Sequence, residues 1–135
     1  AYGTVHAQAP QTLAYALNDS PVGLLAWNAQ VMQPYGLDAD AILTHVAIQW
    51  FTATAGSAIR IYADAAREQP ASGPTRVPLG VAQFPGDLAS VRAFADRAHS
   101  NIVCWNRYDR GGHYAAHDAP DLLTSDIRNF FTDVR

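Results

Sequence analysis

The chain has 135 residues, of which 49% are hydrophobic and only 16% are charged. That is the size of one ordinary domain, with enough apolar residues to bury a core, so the composition excludes a disordered chain. The formal net charge is −3 and there is no basic run, which argues against nucleic acid or an anionic membrane surface as a partner.

Membrane insertion is not expected either. The apolar stretches are broken by polar residues well before the roughly 20 residues needed to span a bilayer, and no signal-peptide pattern precedes them. Cys104 is the only cysteine. It sits in an apolar strand pattern and is expected to pack as a small hydrophobic residue, which is compatible with a reducing compartment. A cytoplasmic location is the resulting expectation.

The residues from Pro10 to about Arg67 have helical periodicity. Ser20 followed by Pro21 predicts a helix start, because serine is a good N-cap and proline is tolerated in the first turn. The apolar positions that follow share one helix face: Leu24, Leu25, Val31 and Met32.

A second helix is predicted to begin near Asp38 or Asp40, with apolar residues at spacings close to 3.6. Gly56-Ser57 is predicted to break or kink it before helix resumes at Ala58. The apolar face of this helix comprises Ile42, Leu43, Val46, Trp50 and Phe51.

After a turn-rich connector over Glu68–Pro74, the pattern changes to alternating strands and helices. The predicted elements are a strand over Val77–Phe84, a helix over Leu88–Ala98, a strand over Asn101–Tyr108 and a helix over Asp121–Val134. This order implies parallel strands joined by a right-handed crossover. Two strands are too few for such a sheet, so we expect the chain to be one end of a larger α/β fold.

His113 is the first candidate for a general base. It follows Gly111-Gly112 on the loop after the second strand, and two glycines let the backbone turn sharply enough to aim the ring into a cleft. The competing interpretation is a tight connection with a half-buried polar residue.

Asp87 favours the catalytic interpretation. It follows the first strand, just past a Pro-Gly turn, so two neighbouring strands would each end in a loop carrying one member of an acid–histidine pair. An acid before the histidine is the order used in α/β-hydrolases after an upstream nucleophile.

The other histidines suggest less. His117 lies four residues after His113, a spacing that could bring two imidazoles onto one metal ion in a helix, but further ligands are absent from the pattern and no metal site is expected. His6, His45 and His99 have no convincing partners in the sequence and are expected to be surface or satisfied core residues.

Three segments resemble one family, the epoxide hydrolases of the α/β-hydrolase superfamily, in the branch that includes the microsomal and juvenile-hormone enzymes. The run over 10–27, PQTLAYALNDSPVGLLAW, is similar to a signature segment of that branch. The segments VPLGVAQFP over 77–85 and RGGHYAA over 110–116 resemble its acid-bearing and histidine-bearing segments. The resemblance implies the carboxy-terminal part of an α/β-hydrolase fold, with cap-domain helices and a connection over 1–70 and a core segment over 71–135.

In that family an aspartate opens the epoxide to give an alkyl-enzyme ester, and a His–acid pair activates the water that hydrolyses it. Two cap tyrosines donate hydrogen bonds to the epoxide oxygen, a role that suits phenols with a pKa of about 10. The resemblance implies that His113 is the base and Asp87 its orienting acid, while Tyr2 and Tyr62 fall where the two tyrosines are expected. The segment over 3–9 departs from the family pattern, Ile-Gln-x-Thr-Lys-Pro.

Neither an oxyanion loop nor a nucleophile elbow occurs in the chain. The remaining candidate aspartates lie in predicted helices or their caps: Asp19, Asp38, Asp40 and Asp64. The expected partners are therefore a small hydrophobic epoxide and an amino-terminal α/β-hydrolase segment on the same or another chain, with no cofactor. Self-association into a homo-oligomer is left open. The alternatives are a haloalkane dehalogenase or esterase segment and a non-catalytic binding module.

Overall fold

The computed structural model describes residues 2–69 and 73–134. The chain divides into two compact units, Ala1–Gln69 and Pro70–Arg135, which we call the helical unit and the α/β unit. Within the described ranges, no helix combines the length and the apolar character that a membrane crossing requires.

The helical unit consists of five α-helices and one turn of 3₁₀-helix among its described residues. They are α1 (Tyr2–Gln8), α2 (Pro10–Asp19), α3 (Pro21–Met32), the 3₁₀ turn (Gln33–Tyr35), α4 (Ala39–Phe51) and α5 (Ala55–Ala65). Contacts of α5 with α1 and α2, and of α3 with α4, build the core of this unit. Its most buried apolar side chains include Leu17, Leu24, Ile42, Val46 and Ile59.

Two side-chain caps fix the helix starts that the sequence predicts. The Ser20 hydroxyl accepts a hydrogen bond from the Gly23 amide at 3.0 Å, which begins α3. The Asp38 carboxylate accepts one from the Ala41 amide at 2.8 Å, which begins α4. Each satisfies a backbone N–H that has no partner within its helix.

The predicted break at Gly56-Ser57 is wrong. Helix α4 ends at Phe51, the chain turns through Ala53 with a φ of 53°, and Gly56 lies inside α5. A Cβ on Gly56 would stand 3.2 Å from the Cβ of Ala14 on α2. Gly56 therefore permits close packing of two helices and does not end one.

In the α/β unit the order is β1 (Leu79–Gln83), α6 (Arg92–Ala98), β2 (Ile102–Arg107), α7 (Ala115–Asp118) and α8 (Pro120–Asp133). The two strands pair in parallel, so the predicted strands and their direction are confirmed, with their ends shortened by one or two residues. Cys104 is a half-buried thiol on β2, next in register to Gly80.

The predicted helix over Leu88–Ala98 is wrong in its first four residues, because α6 begins only at Arg92. Residues 88–91 are tied to β1 and the turn after it. The Leu88 amide donates to the Asp87 carboxylate at 2.7 Å, and the Gln83 side chain donates to the Ser90 carbonyl at 2.8 Å. These bonds compete with a helical turn for the same backbone groups.

Helix α8 is covered only in part within this chain. Its most buried residue is Asp126, which is 8% exposed, whereas the apolar residues Ile127 and Phe131 remain 45% and 59% exposed. The Asp126 carboxylate accepts hydrogen bonds from the Asn106 amide and the Tyr108 hydroxyl. Asp126 thus links α8 to the end of β2.

Candidate active site

Asp87 and His113 meet beyond the carboxyl ends of the two strands. The chain leaves β1 at Gln83 and reaches Asp87 four residues later; it leaves β2 at Arg107 and reaches His113 six residues later. Asp87 Oδ1 lies 3.0 Å from His113 Nδ1, and both side chains are about one-third to one-half exposed. The structure therefore brings together the two residues that the sequence placed on neighbouring loops.

The two loops are joined through glycine backbone. The Gly86 amide donates to the Gly111 carbonyl at 3.1 Å, and Gly86 and Gly112 form an isolated parallel bridge. A Cβ on Gly86 would lie 2.9 Å from the Gly112 Cα, closer than real Cβ atoms come. Gly111 has a φ of +96°, a conformation that favours glycine.

This close approach predicts that Gly86→Ala destabilises the α/β unit. The added methyl group must push two backbones apart, and overpacking of this kind typically costs about 1–3 kcal/mol. Urea denaturation would measure the free energy of unfolding. Gly73→Ala is the control, because a Cβ there meets nothing within 4 Å. Equal stability of the two variants would contradict the steric argument.

Further contacts fix where each loop begins. The rings of Phe84 and Tyr108 stack with centroids 5.0 Å apart, and the Tyr108 hydroxyl donates to Asp126. Burial and the Asp126 carboxylate raise the pKa of Tyr108 to about 12, so this hydroxyl keeps its proton. Gln83 accepts hydrogen bonds from the side chains of Trp105 and Arg107 at 3.0 Å each, which ties the end of β1 to β2.

The hydrogen bond from His113 is the main cause that holds the pKa of Asp87 below its ordinary value of 3.8, with a second bond from the Leu88 amide. Asp87 is therefore a carboxylate at neutral pH. The stability that its lowered pKa contributes is present above about pH 4 and is lost as the pH falls through the pKa of Asp87 in the folded protein. A carboxylate on Nδ1 accepts the proton of the neutral ring there. The basic lone pair of that tautomer is then on Nε2.

Tyr2 and Tyr62, the two sequence-predicted tyrosines, lie together within the helical unit. Tyr2 is on α1 and Tyr62 is on α5, and their rings are 5.8 Å apart with planes at 84°. Tyr2 is 40% exposed and Tyr62 is 36% exposed. The geometry thus makes them an edge-to-face pair of phenols, each with part of its ring at the surface.

His6 lies beside this pair, a position that the sequence did not indicate. Its ring contacts Tyr62 at 4.8 Å and Tyr2 at 5.6 Å, and its Nε2 accepts a hydrogen bond from the Trp27 indole at 3.0 Å. Burial lowers the pKa of His6. The spacing of Tyr2 and His6, four residues apart, is the one sequence signal of a shared helix face.

An apolar cavity of about 410 Å³ opens next to the tyrosine pair in the helical unit. Tyr2 and Trp27 form part of its wall, and α3 and the turn after it supply most of the rest. The remaining lining residues are Val5, Gln30, Val31, Pro34 and Tyr35. One amide among apolar and aromatic side chains is typical of a pocket for a small hydrophobic molecule.

Two further histidines lie in the α/β unit. His99 at the end of α6 bonds the Thr75 hydroxyl at 2.6 Å, and His117 lies in the short helix α7. In the described ranges, no group of three or more His, Cys, Asp or Glu side chains is arranged to hold a metal ion.

Comparison with known proteins gives relatives that are named epoxide hydrolases. A protein of Stigmatella aurantiaca named as a candidate epoxide hydrolase is 35% identical over 93% of this chain and 31% of its own length. Epoxide hydrolase 1 of Sus scrofa is 30% identical over 95% of this chain and 33% of its own. The solved epoxide hydrolase of Aspergillus niger is 29% identical, with a TM-score of 0.87, over 100% of this chain and 36% of that one. No family model matches the chain.

These likenesses define the class of protein: the chain has the fold of the carboxy-terminal part of an α/β-hydrolase. Within that class it is homologous to the carboxy-terminal part of the epoxide hydrolases, as the sequence resemblance implied. The chain spans about a third of the length of these relatives.

Proposed function

We propose that this chain is the carboxy-terminal part of an epoxide hydrolase that converts a small hydrophobic epoxide to a vicinal diol. The observation that carries the proposal is the 3.0 Å contact between Asp87 and His113 on two loops that glycine backbone holds together. The α/β unit would then be the core segment and the helical unit a part of the cap. A cytoplasmic location and self-association stay predictions.

The first half of the reaction would use the tyrosine pair. An aspartate on the amino-terminal segment attacks an epoxide carbon and forms an ester bond, while the C–O bond of the ring breaks and its electron pair goes to the oxygen. Tyr2 and Tyr62 donate hydrogen bonds to that oxygen as charge develops, and a proton from one phenol or from solvent completes the hydroxyl. Donors placed where charge develops stabilise the transition state more than the substrate.

The second half would use the α/β unit. His113 Nε2 removes a proton from a water molecule, and the resulting hydroxide attacks the ester carbonyl. As the C–O bond of the ester breaks, the imidazolium returns its proton to the leaving oxygen, which releases the diol. The carboxylic acid that remains loses its proton to the phenolate or to solvent, which regenerates the aspartate. Asp87 keeps the proton of the neutral ring on Nδ1 and stabilises the imidazolium that forms, as the acid of a catalytic triad does. The pair is part-exposed in this chain, which favours a further segment that covers it and excludes bulk water.

A complementation experiment tests the proposal. The amino-terminal portion of the Stigmatella relative, joined upstream of residues 1–135, should open styrene oxide to its diol, whereas residues 1–135 alone should give none. The diol would be measured by chromatography and the folding of the fusion by circular dichroism and size-exclusion chromatography. A folded fusion that forms no ester and no diol would defeat the proposal in favour of a non-catalytic binding module.

A further inference from the structure

Among the described residues of the helical unit, His6 is the buried titratable side chain. The proposed reaction does not use its imidazole. It is 6% exposed and lies among three aromatic rings. Trp27 contacts it at 5.6 Å between centroids, Tyr2 at 5.6 Å and Tyr62 at 4.8 Å. Any tilt of this ring therefore moves against both phenols.

The hydrogen bond from Trp27 determines the state of the imidazole. An indole N–H can only donate, so His6 Nε2 must accept, and the proton of the neutral ring is on Nδ1. Burial acts in the same direction, because it lowers the pKa of His6 and keeps the ring neutral at neutral pH. The charged residues of α5, Arg60 and Asp64, line a different surface pocket together with Gln11.

The buried Nδ1 of His6 is energetically unfavourable, so efficient packing alone does not explain a histidine at this position. Its buried Nδ1 has no hydrogen-bond partner among residues 2–69 and 73–134. A buried donor without an acceptor is destabilising, and an apolar side chain of similar size would fill the space without that cost. A polar ring kept at such a position is typical of a functional constraint.

We propose that His6 is a positioning residue, which holds the phenols of Tyr2 and Tyr62 at the relative angle that lets both donate to one epoxide oxygen. Trp27 fixes the imidazole, and the imidazole in turn is packed edge to face against Tyr62 at 70° and against Tyr2 at 64°. This inference rests on the proposed function. It assigns the effect of His6 to epoxide opening alone, since hydrolysis of the ester is the task of the α/β unit.

Single-turnover kinetics of the fusion enzyme separate the two steps. His6→Leu should slow formation of the alkyl-enzyme ester from styrene oxide by about tenfold and leave ester hydrolysis within about twofold. His6→Gln, whose amide oxygen can still accept from the indole, should recover most of the lost rate. Trp27→Phe should slow opening to a similar extent, and the double variant His6→Leu with Trp27→Phe should be no slower than the worse single variant, because both act through one contact.

His99→Leu is the matched control, because it removes an imidazole from the α/β unit and should leave ester formation unchanged. Three results would overturn the inference. They are ester formation that is unaffected by His6→Leu, equal slowing of both steps in that variant, and additive effects of His6→Leu and Trp27→Phe.

Nuclear magnetic resonance of the 135-residue chain distinguishes failure of this inference from failure of the proposed function. With His6→Leu the Trp27 indole N–H signal should move upfield, and the ring signals of Tyr2 and Tyr62 should shift more than that of Tyr15. If these signals move but the unsubstituted fusion opens no epoxide, the proposed function fails while the packing of His6 stands. If the unsubstituted fusion opens the epoxide but the Tyr2 and Tyr62 signals do not move in His6→Leu, the inference on His6 fails while the proposed function stands.

Discussion

Substitution of His113 by glutamine is expected to stop the reaction after the alkyl-enzyme ester has formed. The fusion enzyme should still form the alkyl-enzyme ester with styrene oxide, because opening of the epoxide does not use the imidazole. Hydrolysis of that ester should slow by about 10³-fold, within the range that a general base typically contributes. Intact-protein mass spectrometry would detect about one equivalent of bound product, and rapid quench would show a burst without turnover.

His117→Gln is the control for this substitution. It removes an imidazole four residues further along the chain, on α7, and should change ester hydrolysis by less than about threefold. Continued turnover by the His113 variant, with no ester accumulating, would show that the Asp87–His113 contact is only structural. Loss of both steps together would point to damage of the fold, which circular dichroism of the same sample would reveal.

The contact between Asp87 and His113 could be predicted from the sequence because its determinants are local. Gly86, Gly111 and Gly112 mark turns directly after apolar runs, and parallel strands bring their carboxyl ends to one edge of a sheet. What the sequence did not show is how close the loops come. That closeness depends on backbone contacts between residues 26 apart, such as the Gly86–Gly112 bridge, and these leave no periodic pattern.

Helix α1 was not predicted, and the reason is tertiary. Gly3, Thr4 and Val5 have low helix propensity. The helix is stabilised by its packing on α5, including the contact of His6 with Tyr62. Propensity is a weak guide where seven residues form a helix only because a neighbour covers them.

The misplaced boundaries have a similar origin. Glycine at position 56 was interpreted as a helix breaker, but the neighbouring helix α2 needs the space that a side chain would take. Leu88 is the predicted start of a helix, yet it is 91% exposed and lies on the loop that carries Asp87. A contact with α2 explains the glycine at position 56, and Leu88 belongs to a loop. The local sequence pattern shows neither.

The tyrosine pair gives the prediction that separates epoxide hydrolysis from the other reactions of this fold. The combined substitution Tyr2→Phe with Tyr62→Phe is expected to slow ester formation from styrene oxide by at least about 10³-fold, since removal of one such donor typically costs about 10²–10³-fold. Ring packing at 5.8 Å is retained because only the hydroxyl groups are removed. Hydrolysis of any ester already formed should proceed at its usual rate. The burst of ester formation should therefore disappear, and no alkyl-enzyme ester should accumulate.

Tyr15→Phe is the matched control, because it removes a phenol hydroxyl from a ring on α2 that is 70% exposed and should leave both steps unchanged. A haloalkane dehalogenase or an esterase on the same scaffold predicts the opposite result for the pair. A halide leaves without a proton, and an ester carbonyl oxygen takes its hydrogen bonds from an oxyanion hole outside these residues, so neither reaction needs two phenols in the cap. Turnover that survives loss of both hydroxyl groups would therefore exclude the epoxide and leave the Asp87–His113 contact to serve one of those reactions.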